Sequence, residues 1–133
     1  MRIETLDLGF QGTPAVIASY LLEGPVGNVL VETGPGSTLP TLLTGLDRLG
    51  LAPGDVGDVL VSHIHLDHAG AAGWWAQQGA RVHVHPRGAP HLVDPSKLLA
   101  SAGRIYGDRM ETLWGEVLPA PAERIVAVED RAT

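Results

Sequence analysis

A mixed α/β fold, grouped as α+β in some schemes, is predicted by three observations. Strand patterns come first, from Ile3 to Thr33. Helix and strand patterns then take turns as far as Val128. Gly and Pro clusters mark the joints between them. The 133 residues, 44% of them apolar, suffice for one domain with its own core.

The elements follow in order. Ile3 to Leu8 alternates apolar and polar residues, as a half-buried strand does. Gly12-Thr13-Pro14 turns the chain into a second, more apolar strand from Ala15 to Glu23. Gly24-Pro25-Val26-Gly27 reads as a hairpin turn before a third strand, Asn28 to Thr33. Gly34-Pro35-Gly36 is a tight strand-to-helix turn, and it lacks the lysine of a phosphate cradle. Thr38 is placed to cap a helix whose Leu39, Leu42, Leu43, Leu46 and Leu49 share one face, with Gly50 as its stop. After the turn Pro53-Gly54-Asp55, Val56 to Ser62 is a strand, with Val59, Leu60 and Val61 as a buried run. Ala69 to Gln78 reads as one helix ended by Gly79, and Ala80 to His85 as a strand with Val82 and Val84 facing inward. Gly88 to Val93 makes a turn or two of helix, Pro95 to Tyr106 a longer helix with one apolar face, and Met110 to Trp114 a short one. Glu123 to Val128 is the last strand.

Composition removes several function classes. The net charge of -6 is spread along the chain, with no run of Lys or Arg to track phosphates, so nucleic acid is not an expected partner. No apolar run approaches the ~20 residues that cross a bilayer, so no membrane partner is expected. The first residues lack the apolar core of a signal peptide, so a cytoplasmic location is expected. Cysteine is absent, which excludes disulfides, thiolate ligands and cysteine nucleophiles.

The chemistry is concentrated in His63-Ile64-His65-Leu66-Asp67-His68. His63 and His65 stand two apart at a strand end, so both imidazoles leave the same face and can reach one ion. Asp67 and His68 follow where the chain turns toward a helix, and their side chains swing to a neighbouring position. Imidazole and carboxylate together suit zinc, iron or manganese, and without sulfur ligands zinc comes first. Gly70 and its flanking alanines keep bulk away from this point. Ser62 and His63, as strand neighbours, point to opposite faces and are not expected to pair.

The segment Ser62 to Gly70 resembles the HxHxDH signature of the metallo-β-lactamase superfamily. Leu30-Val31-Glu32-Thr33-Gly34-Pro35-Gly36 is similar to that family's "DTG" strand end, and the spacing of the two segments fits. His85 to Pro95 resembles a segment of the hydroxyacylglutathione-hydrolase-like members. The resemblance implies an αββα sandwich with one or two metals at one edge of its facing sheets. It implies that His63 and His65 bind one metal and Asp67 and His68 the second. It implies a hydrolase of small-molecule substrates, in which metal-bound hydroxide attacks an ester, thioester or amide-type bond and Asp67 orients that water or takes its proton. The family usually has Asp at Glu32, where the carboxylate braces the metal loop.

The family supplies further metal ligands downstream, a histidine among them, and no histidine follows His91 here. The expectation is therefore a single truncated domain over residues 1–133, the N-terminal half of the sandwich. Each metal would keep two of its usual protein ligands, so inactivity of the chain alone stays open beside hydrolysis. With the second sheet missing, apolar faces along Ala15–Leu22 and Val56–Val61 would lie open and favour a homodimer. Two other readings compete: a non-catalytic metal-binding half-domain that self-associates, and an iron-dependent redox member of the superfamily.

Other residues are read more plainly. His83 and His85 form a second pair on one strand face, with His83 read as solvent-facing at a strand edge. His85 and His91 are candidates for the substrate cleft. Trp74, Trp75 and Trp114 are read as packing residues, and Arg104, Tyr106 and Arg109 as helix surface, with contact to an anionic substrate in the complete enzyme as the alternative.

Overall fold

A computed structural model describes residues 2–12, 17–25 and 27–128. Its centre is one six-stranded sheet: β1 (Arg2–Asp7), β2 (Ala18–Gly24), β3 (Gly27–Val31), β4 (Val56–Leu60), β5 (Arg81–Val84) and β6 (Ile125–Ala127). The strands lie side by side in sequence order. The first three form an antiparallel meander, and β3, β4, β5 and β6 run parallel. The hairpin between β2 and β3 closes at Gly24 and Gly27, as the sequence predicts. The turn at Thr13-Pro14 and the expected strand start at Ala15 lie outside the described residues.

Parallel neighbours need crossovers, and helices provide them. α1 (Leu39–Arg48) joins β3 to β4. α2 (Leu66–Ala69) and α3 (Ala72–Gln77) join β4 to β5. α4 (Ala89–Val93), α5 (Ser96–Tyr106) and α6 (Met110–Trp114) join β5 to β6. All three crossovers step the same way along the sheet, so their common right hand puts the helices on one face.

The burial pattern has this one-sidedness. Leu21, Leu30, Val59 and Val82 are register partners across β2, β3, β4 and β5, and all four are fully buried. Under them pack Leu42 and Leu46 of α1 and Trp75 of α3, also fully buried. The next row, Tyr20, Val31, Leu60 and His83, points the other way. There Tyr20 is 42% exposed and Leu60 39% exposed. Leu60 is thus not part of a buried run, because only the face carrying Val59 is covered by helices. His83 is not at an edge, since β5 lies between β4 and β6. Its Nε2 meets Asp58 Oδ1 at 2.9 Å, and Arg81 joins the same carboxylate at 3.1 Å. The His83 hydrogen bond, with help from Arg81, holds the Asp58 carboxyl below the usual carboxylate range.

Two helix expectations need correction. The helix expected from Ala69 to Gln78 is two pieces, because the Ala71 N–H is taken by Gly34 O at 2.9 Å and lost to the helical ladder. Thr38 stands at the start of α1 but caps nothing with its side chain; its hydroxyl donates to Pro35 O at 3.2 Å. No described helix is long and apolar enough to cross a membrane.

Gly73 sets how closely α3 approaches the C-terminal segment. A Cβ there would strike the backbone carbonyl of Leu118. Gly73→Ala is expected to destabilise the fold by roughly 1–3 kcal/mol, as overpacking against backbone does. Gly54→Ala, which meets open space, is expected to stay within about 1 kcal/mol of the parent. Urea denaturation of the two variants beside the parent checks the contrast.

Candidate metal centre

The sheet presents the carboxyl ends of its parallel strands along one edge, where open α/β sheets build their sites. Glu32 follows β3, the His63–His68 segment follows β4, and His85 follows β5. Two apolar anchors fix the segment after β4. Leu66 is buried and Ile64 packs on the core, while His63 and His65 on either side of Ile64 are exposed. Ile64 is seated so closely on Gly88 that a Cβ there would come within 2.5 Å of it. The strand ends at Leu60, so His63 and His65, contrary to expectation, are not strand residues. Their rings nevertheless approach, with centroids 4.8 Å apart.

His63, Asp67 and His68 form the tightest group. One donor atom from each lies within 4.8 Å of the others. His65 is outside this set, at the start of α2. The His63 and His68 ring centroids are 4.0 Å apart, and His68 Nε2 lies 3.3 Å from Asp67 Oδ2. A tetrahedral ion with bonds of about 2.0–2.1 Å holds its donors roughly 3.4 Å apart. The Asp67–His68 pair already has that spacing, and a His63 donor lies within 4.8 Å of both. Two imidazoles and a carboxylate are a fitting donor set for zinc.

Glu32 organises the group. Its Oε2 meets His68 Nδ1 at 2.9 Å, which leaves Nε2 turned toward Asp67. Its Oε1 accepts the Ser62 N–H at 2.8 Å. One carboxylate therefore ties the end of β4 to α2. Glu32 does this from a left-handed backbone, φ 65°, a conformation that costs a non-glycine residue about 1–3 kcal/mol. Its own N–H donates to Leu60 O at 2.8 Å. The neighbouring Thr33 and Gly34 N–H groups both donate to His68 O, at 2.8 and 3.2 Å. Gly70 permits the contact: a Cβ there would come within 2.9 Å of Pro35 Cα.

Ser62 and His63 do pair, contrary to expectation, with Oγ and Nδ1 2.9 Å apart. Opposite facing holds only within a strand, and β4 has already ended. The contact leaves His63 Nε2 for other partners.

Clefts lie on both sides of the group. One, of about 650 Å³, is lined by His63, Ile64, His83, His85, Arg87 and His91 among others. It brings the two cleft candidates, His85 and His91, beside His63. The other, of about 420 Å³, is lined by His65, Asp67, Leu98, Ile105, Tyr106 and Trp114 among others. Its aromatic wall is braced by Phe10, stacked on Trp114 at 5.4 Å, and by Tyr106, edge-on to Trp114 at 5.3 Å. Arg87 and the apolar part of the α5 wall, Leu98 and Ile105, were not legible as site residues, whereas Tyr106 of the same helix was legible as a candidate substrate contact. The periodicity of α5 was visible in sequence, but not what its apolar side would face.

Comparison with known proteins gives the family and the fold. The sequence profile described as the Metallo-beta-lactamase superfamily matches residues 12–129, so the chain belongs to that superfamily. Over 62 residues it is 44% identical to the rat (Rattus norvegicus) metallo-beta-lactamase domain-containing protein 1, covering 47% of this chain and 25% of that protein. A metallo-beta-lactamase family protein of Thermus thermophilus superposes with a TM-score of 0.70 at 25% identity, covering 96% of this chain and 46% of that one. The native FEZ-1 metallo-beta-lactamase of Legionella gormanii shares the fold, with a TM-score of 0.67 at 20% identity, covering 98% of this chain and 45% of its own. The chain thus spans a quarter of the rat protein and less than half of each of the two solved structures.

Glu32→Gln keeps the size of the brace but removes its charge and one of its acceptors. Partners that orient metal-binding histidines are typically worth 10–100-fold in affinity. Zinc titrated into the Glu32→Gln variant, followed calorimetrically, is expected to bind roughly 10–100-fold more weakly than to the parent. Equal affinity would show that the carboxylate does not orient His68 for metal.

Proposed function

We propose that this member of the metallo-beta-lactamase superfamily is the site-bearing part of a zinc-dependent hydrolase acting on a small-molecule ester, thioester or amide-type bond. The observation that carries the reading is the convergence of His63, Asp67 and His68, with Glu32 fixing which nitrogen of His68 is free. His65 joins the proposed donor set, its ring next to that of His63. Zinc held there would supply Lewis-acid polarisation of the scissile carbonyl and a water acidic enough to react near neutral pH. Asp67, half-exposed beside the cleft floor, is in place to accept a hydrogen bond from that water and take its proton. The elements of water add across the acyl bond. The carbonyl carbon gains the hydroxyl oxygen, and the leaving oxygen, sulfur or nitrogen carries away the proton.

The expected outcome is hydrolysis of generic thioester or ester substrates by zinc-loaded protein, abolished by a chelator and restored by zinc. His63→Ala and Asp67→Ala are each expected to lower kcat/KM by roughly 10²-fold or more, the scale on which general acid–base groups contribute. Metal analysis runs beside the assay. Full zinc occupancy without turnover would leave a metal-binding domain in place of an enzyme. Iron with oxygen-dependent activity would favour the redox reading.

A second reading rests on the open face of the sheet. Tyr20 and Leu60, with Ile3 65% exposed on the same side, offer apolar surface that a second copy of the chain could cover. We propose self-association through this face for these 133 residues. Sedimentation velocity is expected to find a dimer that Leu60→Lys shifts to monomer; a monodisperse monomer in the parent would overturn it.

A further inference from the structure

Helix α5 has an apolar stripe that the core does not use. Leu98, Ala102 and Ile105 stand at helical spacing on one side of it. A helix in a small domain ordinarily turns such a stripe into the core. Here none of its eleven residues is buried. Ile105 is 76% exposed, the most exposed large apolar residue described. All three stripe residues instead line the cleft of about 420 Å³.

The position of that cleft gives the stripe a use. Its remaining walls are Tyr106 and Trp114 on one side and Leu66, His65 and Asp67 on the other. The only ionisable side chains among them, apart from the tyrosine, are those of the metal-binding segment. Apart from the hydroxyls of Ser101 and Tyr106 and the Trp114 indole, the lining is apolar, and its charged chemistry comes from His65 and Asp67, of the segment to which the reaction is assigned. Its volume falls within the range of small-molecule sites, about 300–1,000 Å³.

We propose that the cleft between α2 and α5 is an acyl subsite, which takes the alkyl or aryl group of a substrate whose scissile carbonyl lies at His63, Asp67 and His68. The inference rests on the hydrolase reading for the carbonyl, and on the cleft alone for the apolar group. The substrate class is narrowed accordingly to esters, thioesters or amides of medium-chain or aromatic acids. Ile105, the most exposed of the three stripe residues, is the one assigned to extend the subsite beyond the first few carbons.

The test uses two series of probes on the same protein. Metal-free protein is titrated with 1-butanol, 1-hexanol and 1-octanol and followed by the NMR shifts of Leu98, Ile105 and the Trp114 indole. Affinity is expected to rise about fourfold per methylene, the increment for burying one CH₂. Ile105→Asp, at a site exposed enough to tolerate charge, is expected to flatten that series. Zinc-loaded protein is then assayed with acetyl, butyryl and hexanoyl thioesters, and kcat/KM is expected to climb with chain length in the parent and not in Ile105→Asp. Alkanol affinity independent of length, or a length dependence untouched in Ile105→Asp, overturns the subsite. So does an Ile105→Asp variant that splits a dimer while binding alkanols as the parent does, since the stripe is then an interface between copies. Alkanols that bind as expected while no thioester is hydrolysed overturn the hydrolase reading instead, and leave the cleft as an apolar binding site.

Discussion

The site depends on one carboxylate. Glu32 accepts a backbone N–H from the end of β4 and meets a ring nitrogen from α2, so two segments that share no strand pairing are held at a fixed distance. The backbone around it repeats the tie. Glu32 N–H reaches Leu60 O, Thr33 and Gly34 N–H reach His68 O, and Gly34 O takes Ala71 N–H. A charge-assisted bond is about twice as strong as a neutral one, and here it is set among neutral bonds that already fix the approach. That network is what a left-handed residue needs in order to persist. The longer glutamate side chain, where aspartate is usual in the superfamily, reaches both partners from this backbone without losing either.

A second constraint is the hand of the crossovers. With strands in sequential order, every crossover from β3 onward falls on the same side. The helices then bury Leu30, Val59 and Val82 and leave Val31, Leu60 and His83 uncovered by them. The same geometry carries all the loops that follow parallel strands to one edge. A one-sided core and a single site edge are thus two results of one topological rule. The pairing of Asp58 with His83 and Arg81 is how the open face accommodates charge between its apolar residues.

Much of this was legible in the sequence, and the misses have physical causes. The succession of strands and helices along the chain, the hairpin at Gly24–Gly27 and the leucine stripe of α1 follow from local pattern, and local pattern is what sequence carries best. His63, Asp67 and His68 were legible as ligand types because so many donors in six residues is itself a signal. Their grouping was not, because it depends on β4 ending at Leu60, earlier than its apolar run suggests. The break between α2 and α3 was hidden for a related reason. It is made by a carbonyl far earlier in the chain, and no local window around Ala71 contains Gly34. The helix α5 and its apolar side were legible, but amphipathicity says only that one side is apolar, not what that side faces.

The sequential strand order also bears on how the chain is made. Each strand from β2 to β6 pairs with the one synthesised just before it, and none is inserted between two that already exist. A growing chain can therefore add strands at a single advancing margin, with each loop closing over a modest span, and loop-closure entropy rises only slowly with span. The Glu32 tie reaches past strict adjacency, since its partner His68 is 36 residues away. It can form once α2 has emerged, before β5 and β6 exist. The candidate metal-binding segment would then take shape when, of the elements described, β1 to β4, α1 and α2 have been made. The order of synthesis would thus give the site its scaffold before its clefts are complete.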